Sequence, residues 1–126
     1  MNKVSFRFES LEIWHLALDF ASIVCDDIED FPKEEIFGLV QQIRKAAFSV
    51  SLNIAEGSGR KSKKDFSHFL DIAKGSIFEV VTGFFIALKR NYVSEEVHRS
   101  VYDSSMVLAK KISAFQMTLR ETPNNK

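Results

Sequence analysis

The sequence predicts an all-α protein, an antiparallel up-down-up-down four-helix bundle. Three observations carry the prediction: only two prolines interrupt 126 residues, apolar residues recur at spacings of three and four, and the periodic segments are separated by short breaks. At this length, with 45% hydrophobic and 27% charged residues, the chain suits one globular domain spanning residues 1–126. The predicted helices cover about 11–29, 33–57, 63–91 and 95–120, followed by a frayed tail at 121–126.

The first helix has Ser10 in the capping position. Its apolar residues form two neighbouring stripes, one of Leu11, Trp14, Leu18, Ala21, Cys25 and Ile28 and one of Ile13, Leu16, Phe20 and Ile23. Together the stripes cover about 220° of the helix surface, whereas a helix packed on one core needs an apolar stripe of only about 100° or somewhat more. The extra width predicts a second packing partner, which we expect to be another copy of the chain.

Capping and glycine signals bound the next two helices. Pro32 lies in a first-turn position of the second helix, and Gly57-Ser58-Gly59 ends it because glycine accepts the left-handed conformation of a helix stop. Ser62 caps the third helix. Gly75 and Gly83 lie inside that helix, where each costs about 1 kcal/mol relative to alanine. We therefore expect a neighbouring helix to approach the backbone closely at both glycines.

The middle of the chain carries a pattern found in a known family. The matching residues are Phe8, Leu11, Trp14, Ala17, Phe31-Pro32, Glu35, Gly38-Leu39, Gln42-Ile43-Arg44, Ala46-Ala47, Asn53-Ile54-Ala55-Glu56-Gly57-Ser58-Gly59-Arg60, Phe66, Phe69-Leu70, Ile72-Ala73, Gly75-Ser76 and Glu79. The sequence closely resembles the bacterial "four helix bundle protein" family over residues 8–93. That family includes proteins encoded inside intervening sequences of large-subunit ribosomal RNA genes, and accessory variability proteins of diversity-generating retroelements are relatives.

The resemblance implies a four-helix bundle that assembles into a barrel-like homopentamer without enzymatic activity. It also implies that the retroelement relatives bind nucleic acid and a reverse transcriptase through basic surfaces, while most members have no assigned function. The chain departs from the pattern at two points. Ser49-Val50-Ser51 stands where many members have Ser-Ile-Pro, and the net charge is zero where the retroelement relatives are strongly basic.

Charge is strongly segregated along the chain although the formal net charge is zero. Residues 1–40 hold three basic and nine acidic side chains, residues 41–64 hold six basic and one acidic, and the remainder holds eight basic and seven acidic, giving −6, +5 and +1. The basic residues of the middle segment are Arg44, Lys45, Arg60, Lys61, Lys63 and Lys64. We predict that they bind RNA or DNA phosphates, as a basic ring in a pentamer.

Two features qualify the nucleic-acid prediction. Residues 60–64 surround the start of the third helix, where backbone N–H groups favour anions, but no aromatic residue is interleaved with these cations, so the segment lacks the stacking signature of a single-strand binder. The alternative is a solvated loop whose cations pair with acidic residues of the first helix, in the same or a neighbouring subunit.

Asn53, Glu56 and Arg60 form a candidate polar cluster, since spacings of three and four place them near one another on a helix. We interpret the cluster as structural, its groups satisfying one another and the helix end; the alternative is a lining of a pore or pocket. The histidines, His15, His68 and His98, lie on three different helices without ligand spacing. The sequence therefore predicts no metal site, no cofactor and no catalytic residue.

The sequence thus predicts a non-catalytic homo-oligomeric scaffold that binds nucleic acid around residues 60–64. The alternative is a protein–protein interaction scaffold, with no nucleic-acid role, whose partners use the acidic surface of the first helix or exposed apolar stripes. A signal-peptide core and a membrane-spanning run are both missing from the sequence, and only Cys25 is available for disulfide chemistry. We therefore expect a cytoplasmic protein without membrane contact.

Overall fold

Four long helices account for most of the structure. The computed structural model describes residues 5–121, and within that range it contains four α-helices and no strand. The helices are α1 (Glu12–Asp27), α2 (Leu39–Ser58), α3 (Lys63–Lys89) and α4 (Glu95–Glu121), with short 3-10 turns at Arg7–Ser10 and Lys33–Glu35. The prediction of an all-α chain with four helices is confirmed.

Neighbouring helices run antiparallel, since side-chain contacts pair the end of one helix with the start of its neighbour. Gly57 in the last turn of α2 lies against Phe66 in the first turn of α3, and Gln116 near the end of α4 donates a hydrogen bond to the Ser67 carbonyl of α3 at 3.0 Å. α1 also packs against α4 and closes the bundle. The fully buried large side chains of the shared core include Ile28, Ile43, Ile54, Phe66, Leu70, Ile77, Phe84 and Ile112.

The start of α2 differs from the prediction by six residues, 39 instead of 33. The Glu35 carboxylate accepts a hydrogen bond from the Leu39 backbone N–H at 3.2 Å, so Glu35 caps the helix from outside. Gly38 has a non-helical backbone, with φ −114° and ψ −109°. Residues 33–38 therefore form a 3-10 turn and a link that precede the helix.

The two serines predicted as caps behave differently. Ser62 accepts a hydrogen bond from the Asp65 backbone N–H at 3.1 Å, which confirms it as the cap of α3. Ser10 donates to the Arg7 carbonyl at 2.9 Å instead, and Leu11 precedes α1 without a side-chain cap. The Ser10 prediction is wrong because the 3-10 turn before α1 engages its hydroxyl.

The glycines of α2 and α3 correct two expectations. None of the glycines in residues 5–121 has a positive φ; at Gly57 a Cβ would lie 2.8 Å from both Phe66 Cδ1 and Phe69 Cβ, so close packing rather than backbone conformation selects glycine there. At Gly83 a Cβ would lie 2.5 Å from Ile43 Cγ1, which confirms the close approach. The same expectation is wrong for Gly75 within the chain, since no atom lies within 4 Å of the position its Cβ would occupy.

The C-terminal end and the expectation of no membrane-spanning helix remain to be compared with the structure. Glu121, predicted to begin the frayed tail, is the last residue of α4, and residues 122–126 lie outside the described residues. Within the described range, none of the helices combines the length and the apolar character needed to cross a bilayer.

Candidate nucleic-acid interface

The six predicted phosphate-binding residues fall into two separate groups. Arg44 and Lys45 lie in the second turn of α2, whereas Arg60, Lys61, Lys63 and Lys64 follow its last turn. Arg44 lies fourteen residues before Ser58, the last residue of α2, which corresponds to about 21 Å along the axis, and Arg60 lies beyond that end. The structure therefore does not bring all six together in one subunit, and the candidate interface divides into a main group and an outlying pair.

The main group lies in residues 59–64, the link between α2 and α3 with the first two residues of α3, which we call the basic connection. It holds Arg60, Lys61, Lys63 and Lys64 and no acidic residue. Lys61 and Lys64 are exposed, and neither forms an ion pair within residues 5–121. Because α3 begins at Lys63, these cations surround a helix start whose backbone N–H groups also favour negative charge.

Arg60 differs from Lys61 and Lys64 because its guanidinium is engaged by neighbouring side chains. Its Nη2 lies 2.8 Å from Glu56 Oε2, and its Cζ lies 4.6 Å from the centre of the Phe69 ring. Asn53 donates its hydrogen bonds to the carbonyl and hydroxyl oxygens of Ser49, each at 2.8 Å, rather than to Glu56. Of the predicted polar cluster, the structure thus joins Glu56 to Arg60 and directs Asn53 to the preceding turn.

An aromatic ladder beside the basic connection was missed by the sequence reasoning. Phe6 stacks on Phe8 with ring centres 5.4 Å apart and planes inclined by 4°, and Phe8 packs on Trp14 with ring centres 4.8 Å apart. Phe6 forms the outer end of the ladder and exposes 69% of its surface. The Phe-Arg-Phe sequence of residues 6–8 was the available signal, but it lies far along the chain from residues 59–64 and only the fold joins them.

The N-terminal segment is fastened to the end of α2. Arg7 Nη1 donates to the Ser58 carbonyl at 3.4 Å, and its guanidinium lies 5.2 Å from the centre of the Phe66 ring. The Phe6 backbone N–H donates to Glu9 Oε2 at 3.0 Å. Between this segment and α2 lies a cleft of about 350 Å³, which we call the N-terminal cleft. It is lined by Phe6, Arg7, Phe8, Ala55, Glu56, Ser58, Gly59 and Arg60.

The opposite end of the bundle is acidic. Residues 26–38, the acidic connection, hold six acidic side chains and one lysine: Asp26, Asp27, Glu29, Asp30, Glu34, Glu35 and Lys33. Burial, reinforced by the neighbouring Asp26 charge, raises the pKa of Asp27. The Tyr92 hydroxyl donates to Glu35 Oε2 at 2.8 Å, and this bond, with the one from Leu39, lowers the pKa of Glu35. The charge segregation of the sequence thus separates the two connections, although Arg44 and Lys45, in the second turn of α2, lie towards the acidic end.

The outer face of α3 is unusually apolar for a surface. Phe78 is 60% exposed, and Ile72, Phe85 and Ile86 are each more than a third exposed. Beside them a groove of about 440 Å³ runs between α2 and α3. It is lined by Leu39, Gln42, Ile43, Gly75, Phe78, Glu79, Thr82, Gly83 and Ile86. Phe78 and Ile86 share this groove, and exposed apolar side chains beside a groove are typical of a protein-binding face.

Comparison with known proteins agrees with the fold. The family model described as "23S rRNA-intervening sequence protein" matches residues 9–114. A crystal structure of a protein of unknown function from the S23 ribosomal protein family of Bacteroides thetaiotaomicron is similar, with a TM-score of 0.74 and 20% sequence identity, covering 82% of this chain and 97% of that one. Among curated proteins nothing matches. The family match spans most of the sequence and confirms the resemblance identified from residues 8–93. The chain belongs to the 23S rRNA-intervening sequence protein family.

Proposed function

We propose that the protein is a non-catalytic homo-oligomeric scaffold that binds nucleic acid, with RNA as the first candidate, through the basic connection. The observation that carries this proposal is the pair Lys61 and Lys64. Both are exposed beside the start of α3 and neither forms an ion pair within the described part of the chain. Exposed cations without acidic partners are free to contact phosphates, whereas paired ones must first be separated.

The comparisons support RNA as the first ligand to test. The description of the family refers to intervening sequences of 23S ribosomal RNA, and the similar structure is assigned to a family of ribosomal proteins. Neither description names a ligand of this chain. Their shared reference to the ribosome nevertheless makes a ribosomal RNA segment a better first probe than an arbitrary duplex.

Oligomerisation supports binding by a chain of zero net charge. Each copy contributes the four cations of the basic connection, and a ring of copies would place them around one axis, where their fields add. The pentamer implied by the family resemblance would present twenty such cations, four from each of five subunits. We place the contact between copies on the apolar face of α3, centred on Phe78, which is more exposed than Leu18 and Ile23 of α1, where the sequence placed it.

Charge reversal in the basic connection tests the nucleic-acid proposal. Lys61→Glu/Lys64→Glu changes the charge by −4 (two changes from +1 to −1) and leaves the Arg60–Glu56 pair in place. We expect RNA affinity to fall by about tenfold or more, and the slope of log affinity against log salt to become shallower by about 1.4 if each lysine contacts one phosphate of a single strand. Fluorescence anisotropy over a series of salt concentrations measures both quantities.

The matched control is Arg99→Glu/Lys110→Glu, which makes the same charge change at two exposed residues of α4. We expect this control to weaken binding much less than the Lys61/Lys64 variant. Equal losses in the two variants would mean that only overall charge matters. Absence of binding by the unaltered protein at low salt would overturn the nucleic-acid proposal.

The second candidate is a protein–protein interaction scaffold with no nucleic-acid role. The exposed apolar face of α3 favours it, because Phe78, Ile86 and the groove beside them could receive a different protein rather than a second copy. Light scattering shows whether a second copy of the chain or a different protein occupies this face. A mass several times 14.4 kDa that falls on Phe78→Glu indicates self-association through this face, whereas a monomer at micromolar concentration leaves the face for another protein.

A further inference from the structure

We propose that Phe6 is a stacking platform for an unpaired nucleobase and that the N-terminal cleft is a single-strand binding site. The inference rests on the proposed nucleic-acid function and deepens it. It assigns the ligand class, a flexible single strand of RNA or DNA with an extruded base, and separates the residues that contact the base from those that contact phosphates.

The first observation is that the outermost ring of the aromatic ladder, Phe6, is largely exposed. Trp14 and Phe8 are half-buried, but Phe6 contacts Phe8 on one face and exposes 69% of its surface. An aromatic ring exposed to water does not gain the favourable free energy of burying its apolar surface. A nucleobase is a flat ring system of similar polarity on its faces, and stacked on Phe6 it would extend the ladder by one member.

The second observation is that the platform is held in place before any ligand arrives. The Phe6 backbone N–H is bonded to Glu9 Oε2 at 3.0 Å, and the Glu9 N–H returns a bond to the Phe6 carbonyl at 3.0 Å. The adjacent Arg7 is tied to the Ser58 carbonyl and lies over Phe66. A platform fixed in this way loses little conformational entropy on binding.

The third observation concerns the charge of the cleft walls. Arg60 and Glu56 line the cleft as a closed ion pair with 2.8 Å between Nη2 and Oε2, so these two charges compensate each other. Arg7 also lines the cleft, but its guanidinium is engaged by the Ser58 carbonyl and the Phe66 ring. A neutral base suits this wall better than a phosphate does, because the Glu56 carboxylate repels an anion. Lys61 follows Arg60 directly, with Cα atoms about 3.8 Å apart, so an exposed cation stands next to the cleft for the backbone of the same strand.

The arrangement selects single strands because the base must leave its own stack to reach Phe6. In a duplex every base is paired and stacked on both faces, and extruding it costs free energy. The phosphates of a duplex can still contact Lys61 and Lys64. We therefore expect duplex binding to depend on the lysines alone, and single-strand binding to depend on the lysines and Phe6 together.

The experiment compares a fluorescent single-stranded RNA, the DNA of the same sequence and the corresponding duplex, with the unaltered protein, Phe6→Ala, Phe6→Trp and Lys61→Glu/Lys64→Glu. We expect Phe6→Ala to weaken binding of both single strands by about fivefold or more, the lower end of the range for a stacked base, with duplex binding unchanged. Phe6→Trp should retain single-strand binding because the indole restores the platform. Inorganic phosphate should neither restore binding to Phe6→Ala nor displace a base from position 6, because it has no ring to stack.

A fluorescence readout at the same position makes the test independent of affinity. Trp14 is the only tryptophan, so Phe6→Trp/Trp14→Phe leaves one indole, on the platform. Quenching of this indole by single strands and not by duplex supports stacking. Unchanged single-strand affinity in Phe6→Ala, with the lysine variant still impaired, would overturn the stacking site and leave the proposed function standing; absence of binding by every oligonucleotide would overturn both.

Discussion

The two connections that join α2 to its neighbours carry opposite charges and are held by different interactions. The basic connection, residues 59–64, is short, and the elements around it are fixed by close packing at Gly57 and by the Ser62 cap. The acidic connection, residues 26–38, is longer and depends on carboxylates: Glu35 holds both the Leu39 N–H and the Tyr92 hydroxyl. The Gly57 packing and the Ser62 cap do not titrate, whereas both Glu35 hydrogen bonds depend on a carboxylate.

At the basic end, different residues are responsible for stability and for ligand binding. The exposed lysines there form no ion pairs within residues 5–121, so their removal leaves packing intact and affects only ligands. At the acidic end the same class of change would lower stability, because the Glu35 carboxylate accepts the Leu39 N–H at the start of α2. Disruption of the basic connection therefore requires a change of shape, whereas a change of pH acts on the acidic one.

The largest expected effect comes from Gly57→Ala. The added methyl would lie 2.8 Å from both Phe66 Cδ1 and Phe69 Cβ, and α2 and α3 would have to separate where the basic connection joins them. We expect a loss of about 2 kcal/mol in the free energy of unfolding, within the range for an overpacked site. Urea denaturation followed by circular dichroism measures the loss.

Gly75→Ala is the matched control, since it makes the same substitution on the exposed side of α3 where no atom of the chain lies within 4 Å. We expect a gain of up to about 1 kcal/mol, because alanine favours a helix more than glycine does. A loss in this control would contradict the open position and would mean that another molecule covers Gly75, beside the apolar face assigned to contact between copies.

Ser62→Ala sharpens the comparison with a smaller change at the basic connection. The substitution removes the hydroxyl that accepts the Asp65 N–H, and loss of such a cap costs about 1 kcal/mol. Ser10→Ala serves as the control, because Ser10 donates to Arg7 rather than capping α1, and its thermal midpoint should stay close to that of the unaltered protein. Equal losses in both variants would argue against a specific capping role for Ser62.

The sequence predicted what local rules govern and missed what tertiary contact decides. Helical periodicity predicted four helices, and Ser62 was predicted as the cap of α3. α2 starts later than predicted because Pro32 does not lie in its first turn, and the Glu35 side chain instead caps the helix from outside. Gly57 was assigned a left-handed conformation because glycine at a helix end usually has one, yet here it admits the Phe66 and Phe69 side chains.

The candidate site divides in the same way. The basic segment was visible as a local excess of charge, but the position of Phe6 beside it depends on the N-terminal segment returning to the end of α2 through the Arg7–Ser58 hydrogen bond. The separation of Arg44 and Lys45 from Arg60 follows from helix geometry once α2 is known to be continuous. Proximity in the sequence therefore grouped Arg44 and Lys45 wrongly with the site and gave no sign that Phe6 belongs to it.

The acidic connection supplies the last prediction, because two of its carboxyl groups have pKa values shifted in opposite directions. The lowered pKa of Glu35, caused first by the Tyr92 hydroxyl, means that its charge stabilises the fold above the pKa of the unfolded chain and that this contribution is lost as pH falls through the folded pKa. Glu35→Gln should therefore lower the thermal midpoint at neutral pH, and the difference should shrink in acid.

Asp27 has the reverse sign. Burial raises its pKa in the fold, so the folded state disfavours its charge, and the resulting destabilisation develops as pH rises through the unfolded and then the folded pKa. Asp27→Asn should raise stability at neutral pH by less than about 1 kcal/mol, since the group remains partly solvated, and the gain should vanish in acid. Thermal melts across the acidic range measure both variants. If the two curves shifted in the same direction, the opposite environments of these carboxyl groups would be refuted.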